Sequence, residues 1–289
     1  IVDDPQWKMS RLRTYWGVLS EPPPAFRPYP FIMDGQGNIV DDTDQRPMPA
    51  LIWYPAEKWR VGETLVFETL PWTWGEEFSI GLGLINGSNW HDFGGRVPAR
   101  ITPTEQPAFP MEGGTWVRLG TFVRRPDWQG GRLRPVSMEQ DIAAVRFHPT
   151  AFTFASTDTV IELKGFRLEP SQPAAGTALA VTLLWQAVQP VPRDYTVFVH
   201  LVNADGSAVA QVDGFPNWRG PLPTSSWLAG RLIPDTHLLA LPDELPSGIY
   251  RLRIGLYYWQ DLKHLEVRDA AGSPLGTELI LTEVRVQAP

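Results

Sequence analysis

The amino-acid sequence predicts an all-β protein: two tandem Ig-like or jelly-roll-like β-sandwiches with Pro- and Gly-rich loops. Three observations predict it. Apolar and polar residues alternate over short segments, as in Tyr250, Leu252, Ile254 and Leu256 against Arg251, Arg253, Gly255 and Tyr257, the period of a strand with one buried face. The 289 residues include 29 Pro and 25 Gly, which punctuate the chain too often for long helices. The third observation is an internal repeat, which divides a chain long for one core into two domains.

The repeat has four anchors in one order. "YWGVLSEPPPAFRPYPFIMDGQGNIV" (Tyr15–Val40) aligns without a gap on "LWQAVQPVPRDYTVFVHLVNADGSAV" (Leu184–Val209), setting Trp16 on Trp185 and Gly37 on Gly206. "KWRVGE" (Lys58–Glu63) then matches "SWLAGR" (Ser226–Arg231), and "LPWTWGEEFSIGLGL" (Leu70–Leu84) matches "LPDELPSGIYRLRIGL" (Leu241–Leu256). Last, "GTWVRLGTFV" (Gly114–Val123) matches "GTELILTEVR" (Gly276–Arg285). The expected organisation is one copy over residues 1–126, a connector over 127–159, and a second copy over 160–289.

Each element follows from local pattern. In copy one, Phe78, Ile80, Leu82 and Leu84 alternate with small residues, and "LAVTLLW" and "TVFVHLV" are β-branched and aromatic runs in copy two. "SMEQDIAAV" (Ser137–Val145) is the one segment expected to make a short helical turn. Copy two opens with a strand over Val160–Leu168, whereas copy one has only fourteen residues before Tyr15, so its leading strand is short or missing. An open sheet edge must be covered, and the expected cover is the connector, Ala144–Ser156, or another polypeptide. Ile rather than Met at position 1 suggests a processed or trimmed chain.

The segment "FIMDGQGNIV" sets Asp34, Gln36 and Asn38 on alternate positions, like oxygen ligands around a cation. Asp41, Asp42 and Asp44 follow as weak further candidates. The matching stretch of copy two has Asn203, Asp205 and Ser207, and both copies keep the glycine between two apolar segments. That is the chemistry of a hairpin turn, which is the preferred reading.

Composition removes several function classes. With no cysteine there is no disulfide, thiolate metal site or cysteine nucleophile. A net charge of −7 argues against an electrostatic nucleic-acid binder, and no ~18-residue apolar run provides a membrane span. His91, His148, His200, His237 and His264 are scattered without zinc spacing, and His200 reads as a packed or rim residue. No Gly-x-Ser-x-Gly elbow or phosphate-binding loop occurs. Glu76, Glu77, Asp213 and Asp235 are the candidate glycosidase carboxylates, but the other copy lacks an acid at their positions, so they read as solvated surface. No catalytic residue and no cofactor is expected.

Aromatic residues are the richest signal. Trp16 and Trp185, and Trp59 and Trp227, recur in both copies and are assigned to cores or rims. Trp72, Trp74, Trp90, Trp128, Trp218 and Trp259 lack an aromatic counterpart and fall in loops beside polar side chains, as in "PWTWGEE", "GSNWHDF", "FPNWRG" and "YYWQD". Such rings either fold back over hydrophobic surface, anchor a protein interface, or stack on sugar rings. Trp72, Trp74, Trp90, Trp218, Tyr257, Tyr258 and Trp259 are therefore the ligand or interface candidates. "NGS" at Asn86–Ser88 reads first as a type I′ hairpin turn and second as a glycosylation site on Asn86.

Copy two, through "GFRLEPSQPAAGTALAVTLLWQAVQPVPRDYTVFVHLVNADGSAVAQVD", "PTSSWLAGRLIPD" and "LPSGIYRLRIGLY", resembles β-sandwich modules appended to bacterial multi-spanning membrane glycosyltransferases. The resemblance covers most of residues 160–289 and reaches copy one through the repeat. It implies an extracytoplasmic, non-catalytic domain pair and carries over no site residue; this chain holds no membrane-spanning or catalytic glycosyltransferase part. The expected function is binding or assembly at the cell surface or outside the cell, with a protein partner or self-association. The alternative is a carbohydrate-binding accessory to a cell-envelope glycosyltransferase or hydrolase system.

Overall fold

Burial alternates residue by residue over much of the strands Ala178–Ala187 and Gly248–Tyr258, and is nearly continuous over Phe26–Met33 and Tyr195–Val202, in a computed structural model that describes residues 1–4, 6–98, 108–124 and 132–288. Two compact units divide the chain, Ile1–Ser137 and Met138–Pro289. Both are all-β with sandwich-like sheets, and among the described residues the α-helices are short: α1 (Pro49–Trp53) and α2 (Met138–Ala143).

The first unit contains β1 (Val2–Asp4), β2 (Met9–Arg11), β3 (Arg13–Gly17), β4 (Phe26–Met33), β5 (Ile39–Asp42), β6 (Thr64–Glu68), β7 (Glu77–Asn86), β8 (Phe109–Met111), β9 (Trp116–Arg124) and β10 (Leu133–Pro135). Its main sheet has the order β10-β9-β7-β4-β5 with β8 also on β9, while β3 pairs with β6 and β1 with β2. Leu12, Ile32, Trp74, Phe78 and Ile80 form one apolar cluster. A second gathers Val18, Met48, Ala56, Trp59, Leu65 and Phe67, with Trp16 and Phe26 partly buried against it.

The second unit contains β11 (His148–Ala155), β12 (Val160–Glu169), β13 (Ala178–Ala187), β14 (Tyr195–Val202), β15 (Ala208–Gly214), β16 (Leu232–Ala240), β17 (Gly248–Tyr258), β18 (Lys263–His264), β19 (Glu266–Arg268), β20 (Pro274–Gly276) and β21 (Leu279–Val286). One sheet has the order β16-β13-β12-β11-β19-β20; the other has β15-β14-β17-β18, with β21 also on β17. Alternate residues Leu179, Val181, Leu183 and Trp185 of β13 are fully buried, as are Val197, Val199 and Leu201 of β14 and Leu252, Ile254 and Leu256 of β17. Each such aliphatic side chain contributes about 1.5–3 kcal/mol of burial free energy.

The repeat extends to the hydrogen-bond registers. Trp16 stands opposite Leu65 as Trp185 stands opposite Ile233. Pro28 faces Leu84 as Val197 faces Leu256, and Phe78 faces Phe122 as Tyr250 faces Val284. Even the irregularities match: the β4–β5 ladder slips between Ile32 and Met33, and the β14–β15 ladder between Leu201 and Val202. The β7–β9 and β17–β21 ladders slip at Ile80/Gly81 and at Leu252/Arg253. The shared tryptophans are held alike, Trp59 donating its indole N–H to the Tyr54 carbonyl and Trp227 to that of Leu222, each over 3.0 Å.

Two expectations are corrected. The connector strand β11 belongs to the second unit, where it pairs with β12 and β19, so it is not a strand of the first. In addition to the expected α2, the first unit forms a further helix, α1; Pro at its start presets the first-turn φ and forgoes an N–H that a helix terminus leaves unpaired.

Candidate functional site

The loop tryptophans separate into buried and exposed groups. Trp74 is buried, donates to Asp41 Oδ2 over 2.8 Å, and packs edge-on to Phe78. Trp90 is also buried, stacked on Tyr29 at 5.0 Å, with the Arg96 guanidinium 3.9 Å from its ring centre. It lies over Gly83, where an added Cβ would fall 2.2 Å from its ring, and Gly81 makes the same room for Phe31. Trp218 is buried and donates to Asp141 Oδ2 over 3.0 Å. These three are packed rings, and they are not exposed platforms. Trp72 is 45% exposed under the Arg46 guanidinium, 3.7 Å from its ring, and Trp259 is 61% exposed in the β17–β18 turn. Trp128 lies outside the described residues.

The acidic candidates are engaged by protein donors. Asp34 Oδ1 accepts the backbone N–H groups of Gln36 and Asn38, each over 2.9 Å, and its Oδ2 accepts the Asn38 amide over 3.0 Å. The Asn38 side-chain bond, with those backbone bonds, holds its carboxyl below the usual range. Gly37 at φ 86° and Gly206 at φ 89° occupy the left-handed region that a hairpin turn requires. Asp41 pairs with Arg46 and Trp74, Asp42 caps Asp44 and Gln45, and Asp44 binds Arg27 and the Tyr29 hydroxyl. Among the described residues no cluster of three or more His, Asp or Glu could hold a metal ion.

Asn86 is exposed at the end of β7. The Asn-Gly pair does not make the expected type I′ turn. Asn86 is not at positive φ, Gly87 lies at φ 151°, and the chain returns only at Val97, whose N–H reaches the Leu84 carbonyl over 2.8 Å. Packing of Trp90 over β4 and β7 overrides the local turn preference.

Asp235 departs furthest from its sequence reading. It is fully buried, not solvated, and accepts from Trp185 Nε1 (3.0 Å), Asn217 N (2.8 Å) and His237 Nε2 (2.9 Å). It fastens the central tryptophan of β13 to the loop after β15. Glu76, Glu77 and Asp213 are exposed as expected.

Two surfaces gather side chains suited to binding. On the outer face of β14, β15 and β17, the Tyr257 hydroxyl donates to Asp213 Oδ2 over 3.0 Å, and Asp213 Oδ1 meets His200 Nε2 at 3.1 Å. Arg253 Nη2 lies 3.3 Å from His200 Nδ1. A guanidinium only donates, so Nδ1 accepts and Nε2 carries the proton given to Asp213. Burial, then the Asp213 bond, raises the Tyr257 hydroxyl above its usual pKa. His264 stacks on Tyr257 at 5.4 Å, and Tyr258 lies beneath Arg193. Tyr257 and Tyr258 are ligand candidates in the sequence and Asp213 a candidate carboxylate read as solvated surface; that Asp213 meets His200 and Arg253 is not legible there, because it requires the β14–β15–β17 registers.

The second surface lies in the first unit. Trp16, Val18, Leu19, Phe26, Trp59 and Leu84 line a cleft of about 300 Å³, which opens beside β3. Tyr15 and Val66, paired across β3 and β6, are 67% and 47% exposed, and Leu19 is 91% exposed.

No family model matches the chain, and no curated protein matches it. Among solved structures, a β-glucuronidase from glycoside hydrolase family 2 is similar over 90% of this chain at 9% identity and a TM-score of 0.25. The chain spans 24% of that enzyme's length, and a likeness of that degree carries no argument about activity.

Proposed function

We propose that this chain is a non-catalytic pair of β-sandwich modules that acts by protein contact, as a binding or assembly element outside the cytoplasm. One observation carries the reading: Tyr15, Leu19 and Val66 stand exposed around a two-stranded β3–β6 sheet bordering an apolar cleft. Exposed apolar patches of this kind serve protein association. The extracytoplasmic placement rests on the resemblance of residues 160–289. No helix among the described residues is long and apolar enough to cross a membrane.

The β14–β15–β17 face favours a second reading, a carbohydrate platform. The face carries a network of hydroxyl, carboxylate, imidazole and guanidinium groups, and Trp259 stands exposed two residues along the chain from Tyr257, the combination of ring and polar groups that suits sugar rings.

Sedimentation velocity across a dilution series separates the two. The protein-contact reading in its self-associating form expects a sedimentation coefficient that rises with concentration and falls back in Val66→Glu. A monomer at every concentration, together with tryptophan quenching by a polysaccharide that Trp259→Ala abolishes, would replace it with the second reading.

A further inference from the structure

The second unit shows what lies along the edge to which no described strand of the first is paired. There β12 runs antiparallel to β13 with Leu163 opposite Trp185, and β11 lies beyond it. Phe154, Ile161 and Leu163 are fully buried. The Phe154 ring meets Trp185 edge-on at 5.3 Å, and the Thr159 hydroxyl is 3.1 Å from that of Tyr195. In the first unit Trp16 takes the place of Trp185 and Phe26 that of Tyr195, and both line the open cleft of about 300 Å³. Trp185 is fully buried, whereas Trp16 is only partly so.

Among the described residues, no backbone partner lies on that side of β3. The Leu12 carbonyl accepts from Thr69 N over 3.0 Å, and Val18 N donates to the Glu63 carbonyl over 2.9 Å. These bonds set the phase of an antiparallel ladder, in which alternate residues face the partner strand. Thr14 and Trp16 therefore face β6, and the N–H and C=O groups of Arg13, Tyr15 and Gly17 face away. No described strand pairs with them. In the second unit the same phase gives Val188 N to the Val160 carbonyl over 3.0 Å.

The segment preceding β3 is fastened elsewhere. Asp3 of β1 forms an ion pair with Arg124 of β9 and accepts the Leu133 N–H of β10 over 3.1 Å. Burial alone would raise the Asp3 carboxyl, but the Arg124, Leu133 and Ser10 bonds hold it below its usual pKa. The hairpin is tied to the far end of the main sheet, and β11 belongs to the second unit.

We propose that the β3 edge accepts one extended segment of a partner polypeptide, running antiparallel to β3 with large apolar side chains at alternate positions. Those side chains fill the cleft of the first unit as Ile161 and Leu163 of β12 fill the second. This rests on the protein-contact reading and names the kind of partner. Only another extended backbone matches a row of alternating donors and acceptors, and a helix has no free donors or acceptors along its length to offer.

The chain supplies its own probe. A fluorescein-labelled peptide of Asp158–Glu169, the β12 sequence, is titrated into the full chain and followed by anisotropy, with amide exchange of Tyr15 and Gly17 measured alongside. Saturable binding that protects both amides is expected. Tyr15→Pro removes one outward N–H and leaves the β6 ladder intact, as edge prolines do. It should weaken binding by about tenfold or more without moving the urea midpoint. A peptide carrying Leu163→Asp should likewise fail, which needs no change in the protein. Absence of saturable binding, or equal binding by Tyr15→Pro, overturns the strand-acceptor inference. If concentration-dependent association persists in that case, the assembly reading stands without it.

Discussion

Asp235→Ala is expected to destabilise the second unit by about 3–5 kcal/mol, the range for removing one partner of a buried charged network. The carboxylate is fully buried and receives the Trp185 indole, the Asn217 amide and the His237 imidazole. Alanine leaves three donors facing a site that water does not reach, and each orphaned buried donor costs about 1–3 kcal/mol. Asp235→Asn keeps the shape and one acceptor oxygen, so its loss should be smaller. Urea unfolding followed by tryptophan emission checks this. Because the chain comprises two units, a single two-state fit does not apply, and only the transition of the second unit should shift. An Asp235→Ala change within about 0.5 kcal/mol, the size of an ordinary surface substitution, would contradict the assignment.

The second large effect concerns Trp90. Its ring fills the space between Tyr29, Phe31 and Arg96, so Trp90→Ala should lower the stability of the first unit by about 3–5 kcal/mol through the cavity it leaves. Gly83→Ala attacks the same contact from below. A Cβ there would lie 2.2 Å from the ring, and displacing the indole should cost about 1–3 kcal/mol. The two changes share one contact, so they should not add: Gly83→Ala in the Trp90→Ala background should cost much less than it does alone. Additivity in urea midpoints would show that the ring does not rest on Gly83. A ligand platform would behave differently, since an exposed ring can be removed at little cost in stability.

The backbone was largely legible in the sequence, because strand period and repeat are local or ungapped properties. The alternation at Tyr250, Leu252, Ile254 and Leu256 is the alternation of burial on β17, and the glycines at 37 and 206 sit at matching hairpin turns. Side-chain fates were less legible wherever they depend on residues distant in the chain. Trp90 is buried where Gly83 on β7 leaves room beneath it; the loop composition "GSNWHDF" carries no trace of that. Asp235 read as surface because it stands opposite Leu183 where Phe67 stands opposite Thr14 in the other copy. Loss of an acid between copies is as consistent with a private buried network as with solvent. The polar face around Asp213 is not legible for a related reason: His200 and Arg253 meet it only through the β14–β15 and β14–β17 registers.

What unites the two halves is one ladder scheme, and what separates them among the described residues is a strand pair that the second half has along its β13 edge. Residue-resolved amide exchange of the free protein measures that difference directly. Tyr15 and Gly17 should exchange near the unprotected rate, while Leu184 and Gln186, the same positions in the second half and bonded there to β12, should be among the slowest. Equal protection of the two pairs would mean that part of this chain already covers β3, leaving no edge for a partner to occupy.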